Sequence, residues 1–205
     1  MTAANSRKSS VNTKKLALMG VLTGIMVVLG YVNIPMPAGL SITFNMIPVA
    51  IAGMAMGLWG GTAMGAVFGL ISFLQCFGII GTSGMGAALV AEAPWWMSFV
   101  QRFVTRVLMG FLTALIYKTL KGRMRNTYLH GAITGFSAAF LNTLLFMSAL
   151  VLLFGHTEYL QEKMAGRAFL AYIVASVGVN GLVEMATAAV LTGAIGVALK
   201  KARLI

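Results

Sequence analysis

The chain has 205 residues, 59% of them hydrophobic and 9% charged, with a mean hydropathy of +0.91 and a formal charge of +11 from 15 Lys and Arg against 4 acids. Soluble chains carry about 25% charged residues, so this one resides mostly in lipid. Every acid is a Glu, which excludes a Ser-His-Asp triad and an Asp-based magnesium site. A single Cys, Cys76, excludes an internal disulfide and a Cys-cluster metal site, and the distance in sequence between His130 and His156 argues against a zinc pair.

Residues 1–13 are polar and basic, and a disordered tail is expected there. No charged side chain occurs between Lys15 and Glu92, a stretch that holds three spans of about 20 residues each if it contains two turns. The first span is expected over 16–34, ended by the prolines and glycine of Pro35-Met36-Pro37-Ala38-Gly39. A secretory signal is disfavoured because the apolar run is long, no small-residue cleavage site follows and further spans do. The block 44–78 would make one helix of about 50 Å, too long for a hydrocarbon core of about 30 Å. Trp59-Gly60-Gly61 offers a break, giving spans at 44–59 and 62–78. Gly53, Gly57, Gly61, Gly65 and Gly69 recur every fourth residue, a smooth strip for close packing of these two spans within the bundle, with a partner interface as the alternative.

A glycine-rich loop is expected from Ile79 to Ala93, and Pro94 suits the first turn of the next helix. That helix, 95–117, opens with Trp95 and Trp96 as interfacial anchors. Spans at 128–154 and 168–199 follow, separated by a polar loop from His156 to Arg167. The basic clusters Arg7/Lys8/Lys14/Lys15, Lys118/Lys121/Arg123/Arg125 and Lys200/Lys201/Arg203 sit at the ends of apolar runs. That is a topology signal rather than a nucleic-acid patch, and only six spans put all three clusters and both termini on the cytoplasmic side. The expected fold is therefore an all-α integral membrane protein of six transmembrane helices, one domain over 14–205.

Ionisable groups inside a membrane cost roughly 2.5–3.5 kcal/mol at mid-helix and are functional candidates by default. Counting back from the cytoplasmic ends at about 1.5 Å per residue puts Arg102, Glu184 and Asn142 near ~24–25 Å, Asn45 and Gln75 near ~21–23 Å and Arg106 near ~18 Å. Five helices thus contribute polar side chains to one outer-half layer. Arg102 and Arg106 share a helix face, as do Asn180 and Glu184. A buried Arg–Glu pair locking two helices is the bland reading. Two guanidinium groups against one carboxylate still leave a surplus cation, and arginine grips a carboxylate through two parallel hydrogen bonds. The substrate-binding candidates are Asn45, Gln75, Arg102, Arg106, Asn142, Asn180 and Glu184, for a small molecule with one carboxylate and several hydroxyl or amide groups. His130 and His156 are expected to be solvated, Cys76 to be a packed thiol and the methionines to pack or face lipid.

No GxxxxGK followed by Ser or Thr occurs, so the chain has no phosphate loop. Ionisable relays and an inverted repeat are also missing, which favours a binding bundle energised from elsewhere over a self-sufficient pump. No cofactor, metal or nucleic acid is expected, and an intramembrane enzyme is disfavoured because one acid and no buried His are on offer.

Lys14-Lys15 followed by Gly20-Val21-Leu22-Thr23-Gly24 resembles the small-xxx-small signature on the first helix of the substrate-binding S components of energy-coupling factor (ECF) transporters. Alanines are usual there; the glycines keep the smooth face. The run from Ser41 to Gly53 is similar to the start of the second helix in that family. Gly69 to Gly78, Arg106 to Gly110 and Asn142 to Phe146 resemble the pantothenate-type members. The resemblance covers 14–200. It implies a six-helix protein of the cell membrane that captures a vitamin from outside and delivers it inward by toppling, with a transmembrane T component and two cytoplasmic ATPases as partners. Gly20 and Gly24 would dock the T component, and the loops 31–43 and 79–93 would form the lid. Pantothenate is the favoured vitamin. Folate, riboflavin or a thiamin precursor is the alternative, with Trp95, Trp96, Tyr31 and Phe99 available to stack a flat ring, and an autonomous secondary carrier is a further one.

Overall fold

The computed structural model describes the backbone of residues 13–31, 34–35, 41–164, 166 and 169–205, and the same residues' side chains except 34–35, 41–42, 169–170, 172–177 and 179–180. The expected tail lies outside the described residues except for Thr13, which opens helix α1 (Thr13–Tyr31). Leu22, Met26 and Gly30 recur at helical spacing on its buried face, while Leu16, Val21, Ile25 and Val28 are exposed, as a lipid-facing surface requires. The loop that follows lies largely outside the described residues. Its described part is not helical: strand β1 (Ile34–Pro35) pairs antiparallel with β2 (Ser41–Ile42).

Helix α2 spans Met46–Leu74 and continues as a 3-10 turn over Gln75–Phe77. Its break is at Gly57, with φ 70° and ψ −154°, rather than at the expected Trp59-Gly60-Gly61. Only glycine takes such a conformation without strain. The chain doubles back there. A Cβ on Gly60 would lie 2.6 Å from the Ala52 carbonyl oxygen, and Gly53 and Gly61 both abut Ala114; eight residues of straight helix would hold these glycines about 12 Å apart. The arm 46–56 descends along the last helix from Thr43, bound to Glu184, to Met54, near Gly196. The arm 58–74 returns.

The expected loop 79–93 contains helix α3 (Gly84–Glu92), capped by Ser83, whose Oγ accepts from the Gly86 amide at 3.1 Å. Next come α4 (Trp95–Phe99), a π-helical turn (Val100–Val104) and α5 (Thr105–Leu120), one continuous rod beginning after Pro94. Helix α6 (Thr127–Phe154) starts at Asn126, whose Oδ1 accepts from the Leu129 amide at 3.2 Å. The expected polar loop 156–167 contains a short helix, α7 (Glu158–Met164), before α8 (Phe169–Lys201). Among the described residues five helices are long and apolar enough to cross a membrane: α1, α2 with its 3-10 turn, the α4–α5 rod, α6, and α8 from Gly181.

The glycine strip packs within the bundle, but its partner is α5. Gly61 and Gly65 meet the backbone at Gly110 and Arg106, and Gly69 meets Phe103. A second close crossing joins α6 to α8, where Gly131 faces Thr192 and Gly135 faces Ala188. Lys200 donates to Thr127 at 3.0 Å, so the end of α8 lies beside the basic 118–125 turn. At the opposite end, a smaller apolar cluster of Met85, Leu89, Met147, Leu150, Phe154 and Leu160 ties α3 and α7 over α6.

His130 departs from the expectation of a solvated side chain. It is buried, stacked on Tyr117 at 4.1 Å, with Nε2 3.0 Å from the Tyr117 carbonyl oxygen. His156 is exposed. Cys76 is a buried free thiol whose Sγ lies 3.8 Å from the Ser72 carbonyl oxygen.

Candidate functional site

The α4–α5 rod carries both intramembrane arginines. A π turn over Val100–Val104 holds Gln101 and Arg102, and the α-helix resumes before Arg106. Such turns insert one residue into the helical register and often accompany functional sites. Despite the altered register the two arginines converge: their guanidinium carbons lie 5.7 Å and 4.5 Å from the Phe146 ring centroid on α6. Arg106 also lies 5.0 Å from Phe68 on the returning arm of α2. Stacking on aromatic faces is a low-cost way to hold a guanidinium away from water.

Their hydrogen bonds differ. Arg102 Nη1 donates to the Ser72 carbonyl at 3.3 Å and to Ser72 Oγ at 3.2 Å, while Nη2 donates to Ser83 Oγ at 3.1 Å. Among the described residues Arg106 Nη1 reaches only its own rod, the Gln101 carbonyl and Thr105 Oγ1, both at 3.3 Å. Thr105 Oγ1 itself donates to the Gln101 carbonyl.

Glu184 on α8 is buried and accepts from the Thr43 amide at 2.8 Å, which ties α8 to the chain just before α2. It interacts electrostatically with Arg106 without forming an ion pair among the described residues. Asn45 lies two residues beyond Thr43, and Asn142 one helical turn before Phe146. Arg102, Arg106, Asn45, Asn142 and Glu184 thus belong to one layer. Gln75 is engaged elsewhere: its Nε2 donates to the Gly30 carbonyl at 2.7 Å, fastening the end of α1 to the end of α2. The side chain of Asn180 lies outside the described residues.

The layer holds two cations and one acid, a surplus of one positive charge among the described residues. It also holds orphaned polar atoms: Asn45 Oδ1, Asn142 Oδ1, Nε of both arginines, and both polar atoms of the fully buried Gln101. An unsatisfied buried polar group costs about 1–3 kcal/mol; six such atoms belong to this layer, while Thr113 and Thr192 leave unpaired hydroxyls outside it.

Sequence reasoning passed over Gln101, Ser72, Ser83, Phe68 and Phe146. An uncharged polar residue in an apolar window was the available signal for Gln101 and Ser72. Nothing local marks the phenylalanines, whose role depends on which helices meet. Trp95 and Trp96 are exposed, and the Phe99 ring stacks on Phe103 at 4.8 Å.

A membrane bundle with a buried, cation-surplus layer fits a protein that binds a small anionic solute, and comparison with known sequences defines the class. The sequence model of the ECF transporter substrate-specific component matches residues 14–196, and the chain belongs to that family. It is 29% identical, over 91% of its length and 94% of the relative's, to the pantothenic acid transporter PanT of Lactococcus lactis subsp. cremoris. The family comprises transporter components rather than enzymes, and the chain is accordingly a multi-pass membrane protein.

Proposed function

We propose that this chain is the vitamin-capturing S component of an ECF importer, with pantothenate as its ligand. The observation that carries the reading is the pair of buried arginines on Phe146 facing a single carboxylate. A ligand carboxylate neutralises the surplus charge, and Asn45, Asn142 and Gln101 supply partners for a central amide and two hydroxyls. Asn180 and Glu184 complete the set from α8, while Gln75 contributes by fastening α1. Similarity to a pantothenic acid transporter supports the same ligand. Folate and riboflavin fit less well, because Phe68 and Phe146 are covered by guanidinium groups and Phe99 is already stacked.

In this reading the doubled-back arms of α2 are the second and third of six spans, and both termini face the cytoplasm. The basic 118–125 turn and the end of α8 mark that side. Uptake then requires a T component in the cell membrane and two cytoplasmic ATPases.

Titrating the purified full chain with pantothenate and with pantothenamide, whose carboxylate is replaced by a neutral carboxamide, tests the ligand. Binding at least tenfold tighter to the acid, about 1.4 kcal/mol, is expected; equal affinity refutes the reading. The docking face has its own test. Gly20 and Gly24 are exposed, and a Cβ at either meets nothing within 4 Å, so bulk there leaves the fold intact. Gly24→Leu should keep vitamin binding and lose uptake and co-purification with the T component. Retained uptake would remove α1 as the docking helix.

A further inference from the structure

The two arginines stand in the same layer but are held differently, and the difference assigns them different work. Arg102 is committed to the scaffold on two sides. Its Nη1 is shared between the carbonyl and hydroxyl oxygens of Ser72 on α2, and its Nη2 is bound to Ser83, the residue that caps α3. The first turn of α3 is also fitted to this guanidinium: a Cβ on Gly86 would lie 2.9 Å from Arg102 Nη2 and 2.9 Å from Cys76 Sγ, so glycine lets α3 close onto it. Ser83 Oγ accepts from both the Gly86 amide and Arg102, joining helix cap and clamp in one atom.

Arg106 has no such commitments. Among the described residues Nη2 donates no hydrogen bond, and Nη1 makes only two bonds at 3.3 Å within its own rod. Its plane is held between Phe68 and Phe146, and it is the arginine that interacts electrostatically with Glu184. It is packed against two rings with Nη2 unpaired among the described residues, the state that suits a group awaiting a carboxylate.

We propose that the arginines divide the work: Arg106 makes the charge contact with the ligand, and Arg102 is a positioning residue that clamps the start of α3 onto α2. The proposal deepens the anion-binding reading above and rests on it. Replacing Arg106 then removes the preference for a charged ligand. Replacing Arg102 loosens α3 and weakens that preference without abolishing it.

The test uses the purified full chain, with pantothenate and pantothenamide as probes and amide hydrogen exchange over residues 84–92 as a second readout. Wild type prefers the acid. In Arg106→Met the ratio of the two affinities falls to about one, with exchange in α3 unchanged. In Arg102→Met the acid stays preferred, by a smaller ratio than in wild type because the layer loses one of its two cations, while α3 exchange rises about tenfold, as expected for a locally loosened segment. Ser83→Asp keeps the helix cap and gives Arg102 a charged acceptor, so α3 exchange slows. A ratio near one in Arg102→Met, a preserved ratio in Arg106→Met, or unchanged α3 exchange in Arg102→Met overturns the division. If Arg102→Met does not fold, Ser83→Asp decides, and no slowing of exchange overturns the clamp. A wild type that binds both probes equally sinks the anion-binding reading itself and the proposal with it. A wild type that discriminates while the variants fail these expectations sinks the proposal alone.

Discussion

The crossings that line α2 against α5 and α6 against α8 are built from glycines facing backbone, whereas the Phe146 layer between them is built from polar side chains facing one another. In the crossings a Cβ has nowhere to go: at Gly65 it would overlap the Arg106 carbonyl oxygen, and at Gly135 the Ala188 carbonyl oxygen. In the polar layer the atoms have room in chemistry rather than in space, since the buried Asn45 and Gln101 and the half-buried Asn142 have polar atoms unused. The first region is optimised for packing; the second, under the proposed function, gives up stability for a ligand. Substitutions should therefore change stability in opposite directions in the two places.

The largest effect is expected in the crossings. Gly65→Leu drives a side chain into the backbone of α5, where nothing flexible can yield, and should destabilise by about 3 kcal/mol or more. Thermal unfolding in detergent should show little or no folded protein. Gly84→Ala, at a site with nothing within 4 Å, is the matched control and should unfold within a degree or two of wild type. Equal effects at Gly65 and Gly84 would deny that close packing distinguishes this region.

A smaller effect of opposite sign should come from the polar layer. Asn142→Leu replaces a carboxamide whose buried oxygen is orphaned with an apolar side chain of similar volume. Removing an unsatisfied buried polar group raises stability by about 1 kcal/mol, while pantothenate affinity should fall about tenfold. Measuring melting temperature and affinity on the same sample checks both. A variant that loses stability without losing affinity makes Asn142 a packing residue.

The contrast was partly legible in the sequence. The charge-free stretch from Lys15 to Glu92, the basic clusters and the polar residues in apolar windows pointed to the apolar helices and singled out most of the layer's polar residues, because each reflects the cost of placing charge in hydrocarbon. The four-residue glycine repeat marked close packing, but not that α5 was the partner, which depends on tertiary crossing. Nor did it show that Gly57 rather than Gly60 or Gly61 takes the positive φ, since any of them is free to do so. Helices α3 and α7 were read as loops because they are short and owe their order to tertiary ties, such as the bond from the Tyr159 amide to Glu92 Oε2 at 3.0 Å. The π turn has no local signature at all, and Gln101 was hidden with it.

The smallest effect belongs to His130, at the end of the bundle away from the polar layer. Its ring stacks on Tyr117 and its Nε2 meets the Tyr117 carbonyl, joining α5 to α6 just where the basic turn connects them. That carbonyl also accepts from the Lys121 amide at 3.0 Å, so losing the imidazole leaves it with one partner. His130→Phe keeps the stacked area and removes one hydrogen bond, and should lower stability by about 0.5–1.5 kcal/mol. Ligand affinity should stay the same, because Arg106 and Tyr117 are separated by eleven positions, about 16 Å along α5. A fall in affinity larger than the fall in stability would mean that the packed end and the binding layer are energetically coupled, and the two regions could no longer be treated as separate.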